Sequence, residues 1–137
     1  MRRTDLHEIA EGKIADAQLL LAHRRYANAY YLAGYAVEIG LKACASRQIV
    51  GETIPDRSFL KTIFTHDFSQ LVRLAGLKAE LDRAGLATSR FLENWAIASE
   101  WRPESRYETI DASSASMLVN AVAENDSGVL PWIRAYW

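Results

Sequence analysis

The chain has 137 residues, half of them hydrophobic and 24% charged, with a net charge of −1 and a single cysteine. This is one domain's length, enough to bury about two-thirds of the unfolded surface, and the composition excludes a disordered chain. The charge balance excludes nucleic-acid binding driven by bulk charge, leaving a local basic patch as the route to an anionic ligand, and Cys44 alone can form neither a disulfide nor a zinc-binding cluster.

The first residues, Met1-Arg2-Arg3-Thr4-Asp5-Leu6-His7-Glu8, are polar and lead into no apolar stretch of the kind a signal peptide carries. No run approaches the ~20 apolar residues of a membrane span. The expected location is cytoplasmic, with no membrane partner. Alternating apolar and polar runs are missing, as are Asn-Gly and Asp-Gly turns, so every element is predicted helical.

A first helix is predicted over about Asp5 to His23, with Asp5 and Glu8 as a capping box. Its apolar stripe is Leu6, Ile9, Ala17, Leu20 and Leu21, with Lys13 as a polar interruption. A second helix is predicted over about Arg25 to Val50. Tyr30, Ala33, Gly34, Val37, Leu41 and Cys44 share its core face. Gly34 and Gly40 each cost roughly 1 kcal/mol against Ala in a helix interior, so close packing of another helix must offset them. This is the predicted central helix, and its small-residue face also suits a symmetric dimer.

Gly51 and Pro55 punctuate the next stretch, and Phe59, Ile63 and Phe64 suggest a short helical segment. A helix then starts near Thr65-His66-Asp67-Phe68, capped by Thr65 or Asp67 and ended by Gly76. Lys78 to Ala84 is predicted as a further short helix closed by Gly85. A helix capped by Thr88 or Ser89 carries Phe91, Leu92, Trp95 and Ala98 and fades at Trp101. Pro103 keeps Arg102 out of helical geometry, so Arg102 to Tyr107 is a loop. Asp111 caps the next long helix, whose core face is Ala115, Leu118, Val119 and Val122. After a break at Asp126-Ser127-Gly128, Val129 to Trp137 forms a last turn or two. The expected fold is a single all-α domain over 1–137, an antiparallel, up-and-down bundle of about four main helices plus short ones.

No metalloprotease, phosphate-loop, dinucleotide or serine-hydrolase motif occurs. His7, His23 and His66 lie far apart, none at metal-ligand spacing, so neither metal nor cofactor is expected. Three features remain. Tyr31, Tyr35, Glu38 and Lys42 fall in line on the second helix at steps of four, three and four. They are either an amphipathic boundary, with Glu38 and Lys42 as an i,i+4 ion pair, or a polar groove with aromatic walls for a base or sugar. His66 lies at a helix start, where it either supports a cap or pairs with a carboxylate. The loop Trp101 to Tyr107 sets Arg102 and Arg106 beside aromatics ahead of a helix start. It offers either a phosphate contact or local ion pairs to Glu104, Glu108 and Asp111.

The segment Arg25 to Ala43 resembles the second helix of HEPN-domain proteins (higher eukaryotes and prokaryotes nucleotide-binding). His66-Asp67-Phe68, Asn94-Trp95, Trp101 to Tyr107 and Gly128 to Arg134 resemble a small bacterial single-domain branch of that family. The resemblance implies a helical bundle, commonly a homodimer, that binds nucleotides or RNA. Many members are metal-independent endoribonucleases, often toxins paired with a nucleotidyltransferase antitoxin. In active members an arginine, four to six residues and a histidine form the catalytic motif. Here Arg102 is followed after four residues by Tyr107, and a phenol is a poor general base near neutral pH. The expected function is therefore binding of nucleotide or RNA, non-catalytic or weakly catalytic, through Arg102, Arg106, Tyr31, Tyr35, Glu38 and Lys42. The alternative is a ribonuclease using Arg102, Tyr107 and His66. A third is a protein-binding module presenting Trp132 and Trp137.

Overall fold

A computed structural model describes all 137 residues. It contains eight α-helices and no strand: α1 (Arg3–Ala22), α2 (Tyr26–Ser46), α3 (Arg57–Thr62), α4 (Phe68–Leu74), α5 (Lys78–Ala87), α6 (Ser89–Ser99), α7 (Ala112–Ala123) and α8 (Val129–Arg134), with a 3₁₀ turn over Pro103–Tyr107. The all-helical bundle expected from the sequence is what forms. Helices α1, α2, α6 and α7 are the long members, and α2 lies at the centre, touching α1, α4, α7, α8 and the 3₁₀ turn. No helix is long and apolar enough to cross a membrane.

Most boundaries follow the local chemistry. Asp67 caps α4, accepting from the Gln70 N–H at 3.0 Å, and Asp111 caps α7, accepting from the Ser114 N–H at 2.7 Å. Gly76 closes α4 with φ +72°, where the Leu77 N–H returns to the Val72 carbonyl at 2.9 Å. Three ends differ from the sequence reading. Helix α1 starts two residues before Asp5, and Asp5 reaches back to accept from the Arg2 N–H at 2.8 Å. Helix α2 stops at Ser46, short of Val50. Helix α5 runs past Gly85 to Ala87, and Leu92 of α6 packs closely over the bare Cα of Gly85.

The core stripe of α1 keeps Ala17 from the predicted one but is otherwise displaced by one residue, to Ala10 and Ile14. Ala10, Ile14 and Ala17 are buried, while Leu6, Ile9, Leu20 and Leu21 are only partly so. Lys13 stays at the edge, with its ammonium 5.8 Å from the centre of the Tyr35 ring.

The small residues of α2 have a definite use, and it lies inside the protomer. Trp101, 1% exposed, lies flat on Gly34, so that a Cβ there would overlap its ring. Gly40 receives Ile133, Leu130 and Trp137 from α8 and the chain end. The face suggested for a symmetric dimer is therefore filled by the chain's own aromatic and aliphatic side chains. Trp101 also stacks on Phe68 of α4, with centroids 5.7 Å apart and planes at 13°. One indole thus ties together α2, α4 and the end of α6.

A Gly34→Ala variant should lose about 1–3 kcal/mol of stability through overpacking. Urea denaturation with Trp fluorescence as the probe checks it. An unchanged midpoint would show that Trp101 does not need the bare helix surface.

Candidate functional site

The stripe Tyr31, Tyr35, Glu38 and Lys42 faces a shallow surface on α2, bordered by α1 and by the segments that carry His66 and Arg106. Tyr31 and Tyr35 are half-buried and stacked, with centroids 5.8 Å apart. Tyr31 also leans on Trp101 at 5.9 Å. Burial raises the pKa of the Tyr35 phenol, and the Glu38 charge adds to the effect.

Glu38 is the unusual member. Its side chain is 2% exposed, and a carboxylate taken out of water costs several kcal/mol unless it is paired. Two partners supply the pairing. Lys42 Nζ donates to Oε1 at 2.8 Å, the i,i+4 pair expected from the sequence. His66 Nδ1 lies 2.8 Å from Oε2, across 28 residues of sequence. An ionised carboxylate only accepts, so Nδ1 must carry the proton. Nε2 is then the nitrogen not engaged by Glu38, on a side chain that remains 54% exposed. A buried carboxylate that sets the tautomer of a solvent-facing imidazole is the arrangement used where histidine moves protons.

The other end of the stripe meets the Trp101–Tyr107 loop. The Arg106 guanidinium lies 4.9 Å over the Tyr107 ring. Polar contact with Tyr107, then with Tyr31, pushes its pKa up further. Lys13 of α1 adds a third cation beside Tyr35. The stripe, His66 and the arginine loop, three separate features in the sequence, thus lie along one face of α2. Lys13 joins them, and its sequence signal was the polar interruption of an apolar stripe.

Arg102 is placed differently. Its Nη1 donates to the carbonyls of Ser99 at 2.8 Å and Trp101 at 2.7 Å, closing the end of α6. Burial raises the pKa of Tyr30, a neighbouring position on α2, and the Arg102 charge acts against that rise. Tyr107 is 79% exposed. Trp132 and Trp137, the candidate interface residues, are engaged within the chain. Trp132 packs on Phe91, Trp95 and Tyr136, and Trp137 stacks on His7 at 4.4 Å. The Cys44 thiol is buried and its pKa is pushed up to about 12, so it offers no thiolate near neutral pH. No three His, Cys, Asp or Glu side chains come together in a metal-binding group.

The largest cavity, about 540 Å³, lies elsewhere, between α5 and α6, and is lined mainly by Leu81, Leu86, Phe91, Leu92 and Trp95. It holds little chemistry beyond the Lys78–Asp82 pair at 2.6 Å. We therefore place the candidate site on the open face of α2. No family model matches the chain, and comparison with curated proteins and with solved structures finds no match.

The geometry sets the tautomer of His66. Long-range proton–nitrogen correlation spectra should show Nδ1–H and a bare Nε2 in the neutral ring. Glu38→Gln should redistribute the proton toward Nε2. A neutral ring with Nε2–H in the wild type would contradict the pair.

Proposed function

We propose that this chain binds RNA or a nucleotide on the face of α2, in line with the HEPN resemblance of its second helix. The observation that carries the reading is the set of basic side chains around an aromatic pair: Lys13, Arg106 and Lys42 at the borders of the Tyr31–Tyr35 stack. Cations supply the sequence-independent grip on phosphate, and aromatic faces accept bases or sugars. The net charge of −1 makes this a local patch rather than a property of the whole surface. Glu38 is the one negative charge within the stripe, and it is held by Lys42 and His66.

Arg106 is the principal phosphate ligand in this reading. Arg102 retains Nε and Nη2 but spends Nη1 on its own backbone. Arg106→Ala should weaken binding of a short RNA roughly tenfold. It should also flatten the slope of log affinity against log salt by about 0.7. Arg102→Ala should instead lower stability by about 1 kcal/mol. Fluorescence anisotropy across a salt series, with a parallel urea melt, separates the two. Equal affinity for wild type and Arg106→Ala would remove the proposal.

A second reading, a metal-independent ribonuclease, is favoured by the Glu38–His66 pair. His66 Nε2 would take the proton of an RNA 2′-hydroxyl as its oxygen forms the bond to phosphorus and the bond to the 5′ oxygen breaks. The imidazolium would then return a proton to that leaving oxygen. The products are a 2′,3′-cyclic phosphate and a 5′-hydroxyl. Arg106 would hold the phosphate, and Tyr107 would donate a hydrogen bond. His66→Ala should reduce cleavage of end-labelled RNA in chelator at least ~100-fold. Cleavage that persists in the variant would defeat this role for His66.

A second copy of the chain and a nucleotidyltransferase are the partners that the resemblance implies. Either would dock outside the small-residue face of α2, which is filled from within.

A further inference from the structure

Two aromatic side chains have no use in the fold. Among the large hydrophobic residues left in water, Phe64 at 77% and Tyr107 at 79% exposure are the only aromatics. Burying such a ring is worth about 1.5–3 kcal/mol, and every Trp in the chain is buried or packed.

Both residues lie in the two segments that border the site. Arg106 lies over Tyr107 at 4.9 Å and also reaches Tyr31, which places Tyr107 at the Tyr31 end of the stripe. Phe64 is two residues before His66, which holds Glu38 at the other end. Its neighbour Ile63 packs against the core and anchors the turn, while Phe64 is left facing water. From Tyr31 to Glu38 the helix rises seven residues, about 10 Å. Arg106 stands at the Tyr31 end of this stretch, and Lys42 lies one turn beyond Glu38. None of the larger cavities is lined by these residues, so the face is an open track rather than a socket for one base.

Resting on the nucleic-acid reading above, we infer that the ligand of this face is a single strand of at least two nucleotides. One base stacks on Phe64, another stacks on Tyr107, and the backbone between them runs along the face from Arg106 toward Lys42. Stacking on exposed aromatics requires free base faces. A duplex hides those faces, and a mononucleotide can use only one platform.

The test is a set of anisotropy and competition titrations of the full chain with uridine monophosphate, a uridine dinucleotide, an octanucleotide and an RNA duplex. Affinity should rise at least tenfold from monophosphate to octanucleotide, and the duplex should bind more weakly than the octanucleotide. Phe64→Ala and Tyr107→Ala should each weaken octanucleotide binding roughly five- to a hundredfold. Phe64→Trp and Tyr107→Phe should retain it, because a stacking face remains. Normal binding by both alanine variants, alongside weak binding by Arg106→Ala, would overturn this inference and leave the phosphate-binding face intact. So would a monophosphate that binds as tightly as the octanucleotide. Normal binding by all three variants would overturn both.

Discussion

The fold and the site both depend on the contact between Trp101 and Gly34. The indole can lie flat on α2 only because no Cβ stands between it and the helix backbone. Its other neighbours are Phe68 of α4 and Tyr31 of α2. The Phe68 contact draws in the start of α4, and with it His66. The position of Trp101 at the end of α6 brings the adjoining 3₁₀ turn, and so Arg106, against the upper part of α2. A glycine that costs about 1 kcal/mol in an isolated helix thereby positions two segments that are far apart in the chain.

Glu38 supplies the second constraint. A carboxylate at 2% exposure needs partners, and Lys42 from its own helix leaves one oxygen free. His66 fills that place. The same hydrogen bond serves stability by pairing a buried charge and holds the ring by its Nδ1, leaving Nε2 outside the pair. Structural and chemical roles coincide at this residue, so a stability measurement alone cannot distinguish them, whereas the tautomer can.

Arginine placement shows how a motif read along the chain can differ from a site in space. Arg102 and Arg106 stand four residues apart in one loop. Arg102 turns back to cap the carbonyls at the end of α6. Arg106 leaves the 3₁₀ turn toward Tyr31 and Tyr107. The orphan carbonyls of a helix end compete for guanidinium donors, and the nearer arginine satisfies them. The basic edge of the α2 face is therefore formed by Arg106, Lys13 and Lys42, contributed by three elements.

The sequence by itself determined the helical class, the order of the helices and the central place of α2. These come from apolar spacing, caps such as Asp67 and Asp111, and the stop at Gly76, all interactions within a few residues of one another. It also aligned Tyr31, Tyr35, Glu38 and Lys42, since helical geometry alone puts them on one stripe. Three boundaries shifted: α1 starts earlier through the local Asp5–Arg2 bond, α2 stops at Ser46, and α5 runs past Gly85, over which Leu92 packs. Only the tertiary structure decided that His66 belongs to Glu38, that Lys13 and Arg106 border the same face, and that the small residues of α2 receive Trp101 and α8. The burial of a charge and the fit of a ring against a bare Cα are set by atoms brought together from distant parts of the chain, and no periodicity in the sequence encodes them.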